Sequence, residues 1–307
     1  MISFFDIVFK IFPFYFFILL GYFGGKYLDV RKESIAPILI YLLTPVIVFH
    51  GVYITKVSLG TLSIPLLYLI IAAGLSISTL KLFKKIWPDS TGNIVAYMAG
   101  SANIGYFGLP VAAAILGESA VGIMTLFVLG FTIYDCTVGF FITARGRHTV
   151  MESLKKVMML PAIYAFFISI LLNLLQVKFG QGYMDFVAIF RGAFTFLGMM
   201  LIGLGLSDIK EFRLDHKLLL ITFTIKFLIW PIIMIVIIFL DNRLFHLFTP
   251  LIHQVMVLIS IVPIAANSVA YATQLKVQPE KASLAVLLST IFALFYIPLI
   301  TVIFINK

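Results

Sequence analysis

Apolar and polar positions alternate along this chain on a long scale. Runs of about twenty apolar residues are separated by short clusters of charged and turn-forming ones. A helix crossing a bilayer needs about 20 mostly apolar residues. The pattern predicts about ten such helices, over 4–25, 35–54, 61–81, 91–116, 120–143, 157–177, 185–206, 218–240, 251–275 and 282–304. The breaks fall at Lys26 to Glu33, Lys84 to Asp89, Arg145 to Lys156, Ser207 to Lys217 and Asp241 to Thr249. No connection is long enough for a soluble domain. The first run is too long for the core of a cleaved leader and lacks a small-x-small exit, so it reads as a first span.

Composition agrees. Of 307 residues, 62% are apolar and 11% charged, against roughly 45–50% and about 25% in soluble domains. So few polar side chains do not cover a soluble globule, which sets aside a soluble enzyme, a nucleic-acid binder and a disordered chain. The net charge of +9 has a topological meaning. Loops after odd-numbered spans carry about fifteen Lys and Arg, among them Lys32, Lys84, Arg145, Lys156, Lys210, Arg213 and Lys281. The opposite side carries about four: Lys56, Lys178, Arg243 and Lys307. By the positive-inside rule the chain sits in the cytoplasmic membrane with both termini outside and the Arg145–Lys156 loop inside. The positive charge faces anionic lipid rather than nucleic acid.

Five spans precede the central basic loop and five follow. An odd number per half makes the second half an inverted copy of the first. The expected organisation is a first five-helix repeat over 1–143, a connecting loop over 144–156 and a second repeat over 157–307. Spans four and nine carry helix breakers in mid-membrane. One reads Ala102-Asn103-Ile104-Gly105-Tyr106-Phe107-Gly108-Leu109-Pro110 and the other Pro263-Ile264-Ala265-Ala266-Asn267-Ser268. Proline removes a helical hydrogen bond and glycine tolerates the resulting backbone. A helix broken at the midplane exposes N–H groups that suit an anion and carbonyls that suit a cation. Two broken helices at matching positions mark a transporter's binding site. The candidate substrate-binding set is Asn103, Asn267, Gly105, Gly108, Pro110, Pro263 and Ser268.

Charges inside spans are functional candidates, since placing one at the bilayer centre costs about 2.5–3.5 kcal/mol or more. Asp135 and Lys226 lie at similar depth and are expected to pair, either as a proton or cation exchanger or as a structural ion pair. Arg191 and Lys10 lie near enough to span ends to snorkel, and His50 sits toward the outer end of span two. His246 and His253 lie at the outer surface without a third ligand, and Cys136 is a lone cysteine, so no metal or cofactor site is expected. Gly21 and Gly25 give a Gly-x-x-x-Gly spacing, and Gly198, Gly203 and Gly205 cluster in span seven, for tight packing or sliding.

These motifs resemble the auxin efflux carrier family, which includes plant auxin exporters and bacterial organic-acid permeases. The match lies in Ala102-Asn103 to Pro110, Pro263 to Asn267, Leu43-Thr44-Pro45, Ser289-Thr290 and Ile297-Pro298-Leu299. Ala102 replaces the family's usual glycine, and the long cytoplasmic loop of many plant members is missing. A compact microbial-type member is therefore expected. The resemblance implies the inverted-repeat fold of bile acid and auxin transporters. Spans one, two, six and seven would form a scaffold, often dimeric. Spans three to five and eight to ten would move, and Asn103 and Asn267 would touch a substrate carboxylate.

The function expected is secondary transport of a small organic anion by alternating access, with a proton or sodium ion as the coupling ion. A channel is the first alternative, because broken helices also line pores. An intramembrane aspartyl protease is a weaker one. Tyr134-Asp135 is half of its pattern, but the Asp208 after Gly203-Leu204-Gly205 is two residues late, a rotation of about 200° on a helix.

Overall fold

A computed structural model describes residues 4–54, 59–207 and 215–305. Lys56, Asp208, Lys210, Arg213 and Lys307 lie outside the described residues. Among those described, all regular structure is helical. The helices are α1 (Phe4–Tyr27), α2 (Lys32–Ile54) and α3 (Leu59–Ile86), then α4 (Thr91–Gly100) and α5, a wide turn Ile104–Gly108 running into Leu109–Leu116. There follow α6 (Ser119–Ala144), α7 (Val150–Met158), α8 (Pro161–Leu174), α9 (Gln181–Ser207) and α10 (His216–Phe245). The chain closes with α11 (Pro250–Ile261), α12 (Asn267–Leu275) and α13 (Pro279–Phe304).

Seven of these are long and apolar enough to cross a membrane: α1, α2, Ser63–Ile86 of α3, α6, α9, α10 and α13. The chain is a multi-pass membrane protein. Two of the remaining expected spans are the interrupted ones, and neither half of either reaches crossing length. The third, span six, is α8, whose 14 residues extend about 21 Å at 1.5 Å per residue. It joins α7 at a bend of 50°. α7 occupies what the sequence reading leaves as a loop. Its start is fixed by a capping box: the Thr149 hydroxyl accepts from Glu152 N, and Glu152 accepts from Thr149 N at 2.8 Å. That Thr-x-x-Glu spacing was readable in the sequence.

Three wide helical turns lie ahead of prolines. Thr44 N reaches Leu39 O ahead of Pro45, Leu109 N reaches Ile104 O ahead of Pro110, and Trp230 N reaches Ile225 O ahead of Pro231. A proline brings no N–H and clashes with the preceding turn. Widening the turn to i→i+5 keeps the helix continuous, a usual adjustment where lipid offers no hydrogen bonds. Pro110 therefore lies in the first turn of Leu109–Leu116, where a missing N–H is cheap, and the break falls earlier, at Ser101 to Asn103. This corrects the expectation that Pro110 forms the interruption. Pro263 lies where expected, inside the break between α11 and α12.

α1 runs along α9, and the second half of α2 along α8. α3 packs on α4 and α6, α10 on α11, and α12 on α13. Gly21 and Gly25 of α1 and Gly203 of α9 serve contact rather than leaving room to slide. A Cβ at Gly21 would lie 2.0 Å from Met200 O, and one at Gly203 would lie 1.9 Å from Ile18 O. Only hydrogen at these positions lets the two backbones approach.

Candidate functional site

The two interruptions meet. Asn103 N donates to Pro263 O at 2.8 Å, joining the breaks through their backbones. Each break also has its own support. Gly108 N closes onto Asn103 O at 2.8 Å, and Ile264 N donates to the Ser289 hydroxyl of α13 at 3.2 Å. Ile104 and Asn267 open α5 and α12, where Ile104 N folds back on Ala102 O at 2.8 Å and Ser268 N and Val269 N on Ala265 O and Ala266 O at 3.0 and 2.9 Å.

Asp135 lies beside this crossing, 1% exposed, and gathers three donors. Tyr97 OH of α4 donates to Oδ1. On Oδ2 converge Asn267 Nδ2 at 2.6 Å and Tyr271 OH at 2.8 Å, both from α12. Asn267 is engaged at its other end too, accepting from Tyr106 OH at 2.7 Å. Tyr106 is in turn seated against α9, where a Cβ on Gly198 would lie 2.5 Å from its ring. A single carboxylate thus links α4, α6 and α12, and through Asn267 also α5. An ionised carboxylate only accepts hydrogen bonds, which matches three donors.

The expected Asp135–Lys226 pair is absent. Lys226, also 1% exposed, directs Nζ to Ile259 O of α11 at 3.4 Å and lies 5.0 Å from the centre of the Trp230 ring. Similar depth permits an ion pair but does not fix which way the side chains point. Asp135 faces the crossing, whereas Lys226 faces the end of α11.

The carbonyls ending α4, expected to be open for a cation, are occupied. Tyr134 OH donates to Tyr97 O at 2.7 Å and Ser101 N to Met98 O at 3.1 Å. Trp230 Nε1 donates to Ala99 O at 2.8 Å and Tyr68 OH to Gly100 O at 3.1 Å. The Tyr68 and Trp230 rings stack at 5.3 Å.

A narrow cavity opens at the crossing, with a solvent-accessible interior of about 20 Å³, room for about one water. Asn103, Gly105, Asp135 and Asn267 line it, joined by Thr132, Tyr106 and Phe194. Asn103 is the polar group with capacity to spare: Oδ1 has no partner among the described residues, and Nδ2 has only Met199 Sδ at 3.9 Å. Gly105 leaves open space, since a Cβ there would meet only the Phe194 ring at 3.5 Å. Among the described residues, Gly108, Pro263 and Ser268 do not line this cavity; the side chain of Pro110 lies outside those described. Ser268 is fully buried, and its hydroxyl has no partner among the described residues.

A second cavity, of about 50 Å³, shares Ile47, Val48, Gly105, Val128, Thr132 and Phe194 with the first and reaches His50 and Arg191. His50 is buried rather than interfacial, with Nδ1 3.2 Å from Tyr183 OH. Arg191 lines the cavity instead of merely reaching outward. His253 is likewise committed, 2.9 Å from Asp241, which also accepts from Leu247 N and Phe248 N. No group of three His, Cys, Asp or Glu among the described residues has metal-binding geometry.

The tyrosines were the missed members of the site. Tyr271 lies one helical turn after Asn267 and Tyr106 lies three residues after Asn103, a spacing that shares a face. That signal was in the sequence, but nothing distinguished these tyrosines from the chain's other aromatic residues.

The last third or so of the chain is similar to a family of membrane transporters. The family model, described as the Sodium Bile acid symporter family, matches residues 193–307. The match runs from within α9 through α10, the interrupted α11–α12 segment and α13. A symporter is a carrier, not an enzyme. No curated protein matches the chain.

Proposed function

We propose that the protein is a secondary carrier for a small organic anion, working by alternating access, with the anion bound where the two interrupted helices cross. α4 with α5, and α11 with α12, then each count as one crossing. With α8 they complete ten spans in two inverted repeats. The carrying observation is Asn103. A buried amide with an unpartnered oxygen and only a sulfur contact on its nitrogen, beside open space at Gly105, is a group waiting for a ligand. Its Nδ2 is a donor beside the helix starts of α5 and α12, whose dipoles carry partial positive charge, the complement a carboxylate requires.

Asp135 supplies the coupling. Two carboxylates sharing one small buried site repel, so an anion enters most readily when Asp135 carries a proton. A proton on Oδ2 takes one of the two lone pairs that Asn267 and Tyr271 use, so one donor must leave. Release of Asn267 Nδ2 turns it toward the anion, and proton and anion are carried together as a neutral pair. Asn103 and Asn267 thus both bind substrate, but at different stages. The match to a symporter family supports co-transport with a cation, although the ion in that family's description is sodium and the one in this reading is a proton.

The test is uptake of labelled mono- and dicarboxylates into proteoliposomes under an imposed pH gradient. Saturable uptake that rises with external acidity is expected. Non-saturating ohmic current would instead mean a channel.

A further inference from the structure

The end of a half-helix inside a membrane carries partial negative charge on its last carbonyls. In carriers with interrupted helices, such ends coordinate sodium. Here α11 ends at buried Ile261, within the protein core. Val262 N takes Leu258 O at 3.2 Å and the Ser260 hydroxyl takes Val257 O at 2.6 Å. Ile259 O receives the Lys226 ammonium.

We propose that Lys226 is a built-in cation: its ammonium holds the position at the end of α11 that a coupling sodium ion would take, and the protein works without sodium.

Three observations support this. The ammonium is shielded from the surface, Lys226 being 1% exposed. Its charge is met by no carboxylate among the described residues. What meets it is a helix end and the face of Trp230 at 5.0 Å, both of which favour a cation. The same helix closes the other half as well. Trp230, one turn after Lys226 on α10, donates to Ala99 O at the end of α4, and Tyr68 and Tyr134 take the neighbouring carbonyls. Side-chain donors thus reach the ends of both half-helices, a neutral indole at one and an ammonium at the other. A monovalent cation entering the α11 site would have to displace the lysine that already fills it.

The inference goes beyond the carrier reading, and its main test does not depend on transport. The unfolding midpoint of the purified full-length protein is measured in sodium, potassium and choline chloride at equal ionic strength, for wild type, Lys226→Ala and Lys226→Met. Wild type should unfold at the same temperature in all three salts. Lys226→Ala should be less stable in choline and recover by a few degrees in sodium, because a small ion enters the vacated space. Lys226→Met fills that space without charge and should stay low in every salt. Sodium-specific stabilisation of wild type would overturn the proposal, whether or not the variants fold. So would a folded Lys226→Ala indifferent to all three cations. In proteoliposomes, wild-type uptake should survive replacement of sodium by choline. Loss of uptake in choline alone would contradict the built-in cation while leaving the carrier reading intact, whereas absence of uptake in every salt would count against the carrier reading and not against this one.

Discussion

Asn103 N donates to Pro263 O at 2.8 Å, so the two interrupted helices are bonded to each other at their breaks. Each break removes backbone partners from its own helix, and part of what is lost is recovered across the crossing. The halves are therefore mechanically coupled at the site where the ligand is proposed to bind. The two asparagines at this point are not equivalent. Asn267 is held at both ends, by Asp135 and Tyr106, whereas the Asn103 side chain has little to hold it.

That asymmetry predicts different costs. Asn267→Ala leaves the Tyr106 hydroxyl and one Asp135 lone pair without their partner. Each buried group so exposed costs about 1–3 kcal/mol. Asn103→Ala removes no hydrogen bond except a weak one to sulfur and should leave stability nearly unchanged. Thermal unfolding of the two variants side by side checks this. Equal losses would mean that Asn103 is structural.

Asp135 and Lys226 hold different partners, so their substitutions should act independently. Asp135→Asn puts an NH2 where donors converge and should strongly reduce transport. Adding Lys226→Met should not restore it, and the two stability losses should sum to within about 0.5 kcal/mol. Rescue in the double variant would show that the two charges pair after all.

The α1–α9 contact leaves no room for a methyl group. Gly203→Ala and Gly21→Ala should each destabilise by about 1–3 kcal/mol, because the obstructing atoms are backbone. Gly51→Ala and Gly122→Ala, where a Cβ meets nothing within 4 Å, serve as controls and should stay near wild type. Gly198→Ala should act differently, pressing on the Tyr106 ring and lowering transport more than stability.

Away from the membrane spans, Asp89 precedes α4 and joins the two halves of the chain. It accepts from Thr91 N at 3.0 Å and Gln278 Nε2 at 2.9 Å, with Lys281 Nζ at 3.8 Å. Partial burial pushes its carboxyl up, but the Thr91 hydrogen bonds and Lys281 outweigh this and hold it below its ordinary value of 3.8. A depressed carboxylate stabilises fully above its unfolded value and loses that contribution as pH falls through the folded one. Unfolding midpoints of wild type and Asp89→Asn should therefore converge as the pH drops below about 3.8 and separate above it. A constant gap across that range would contradict the assignment.

The helix pattern and both interruptions were legible from hydrophobic run length and from the placement of Gly and Pro, because lipid makes those rules strict. Asn103, Asp135 and Asn267 stood out as candidates because a polar group at that depth needs a reason, and Gly105 because it accompanies a helix break; all four line the cavity at the crossing. What the pattern did not hold was direction. Asp135 and Lys226 share a depth but face different helix ends, and no linear spacing encodes that. Pro110 looked like a breaker but sits in a first helical turn, since the wide turn at Ile104–Gly108 absorbs the strain ahead of it. The aromatic donors Tyr68, Tyr134 and Trp230 were hidden among the chain's many apolar rings.

In the carrier proposed here, an organic anion binds at the crossing through Asn103. The most direct measurement is calorimetric titration of small carboxylates into purified wild type and Asn103→Ala, after wild type has identified a binding ligand. A hydrogen bond to a charged ligand contributes about 1.5–3 kcal/mol. Affinity should fall roughly tenfold or more in Asn103→Ala, with the unfolding midpoint of the free protein unchanged. Equal affinity in a folded Asn103→Ala would contradict it.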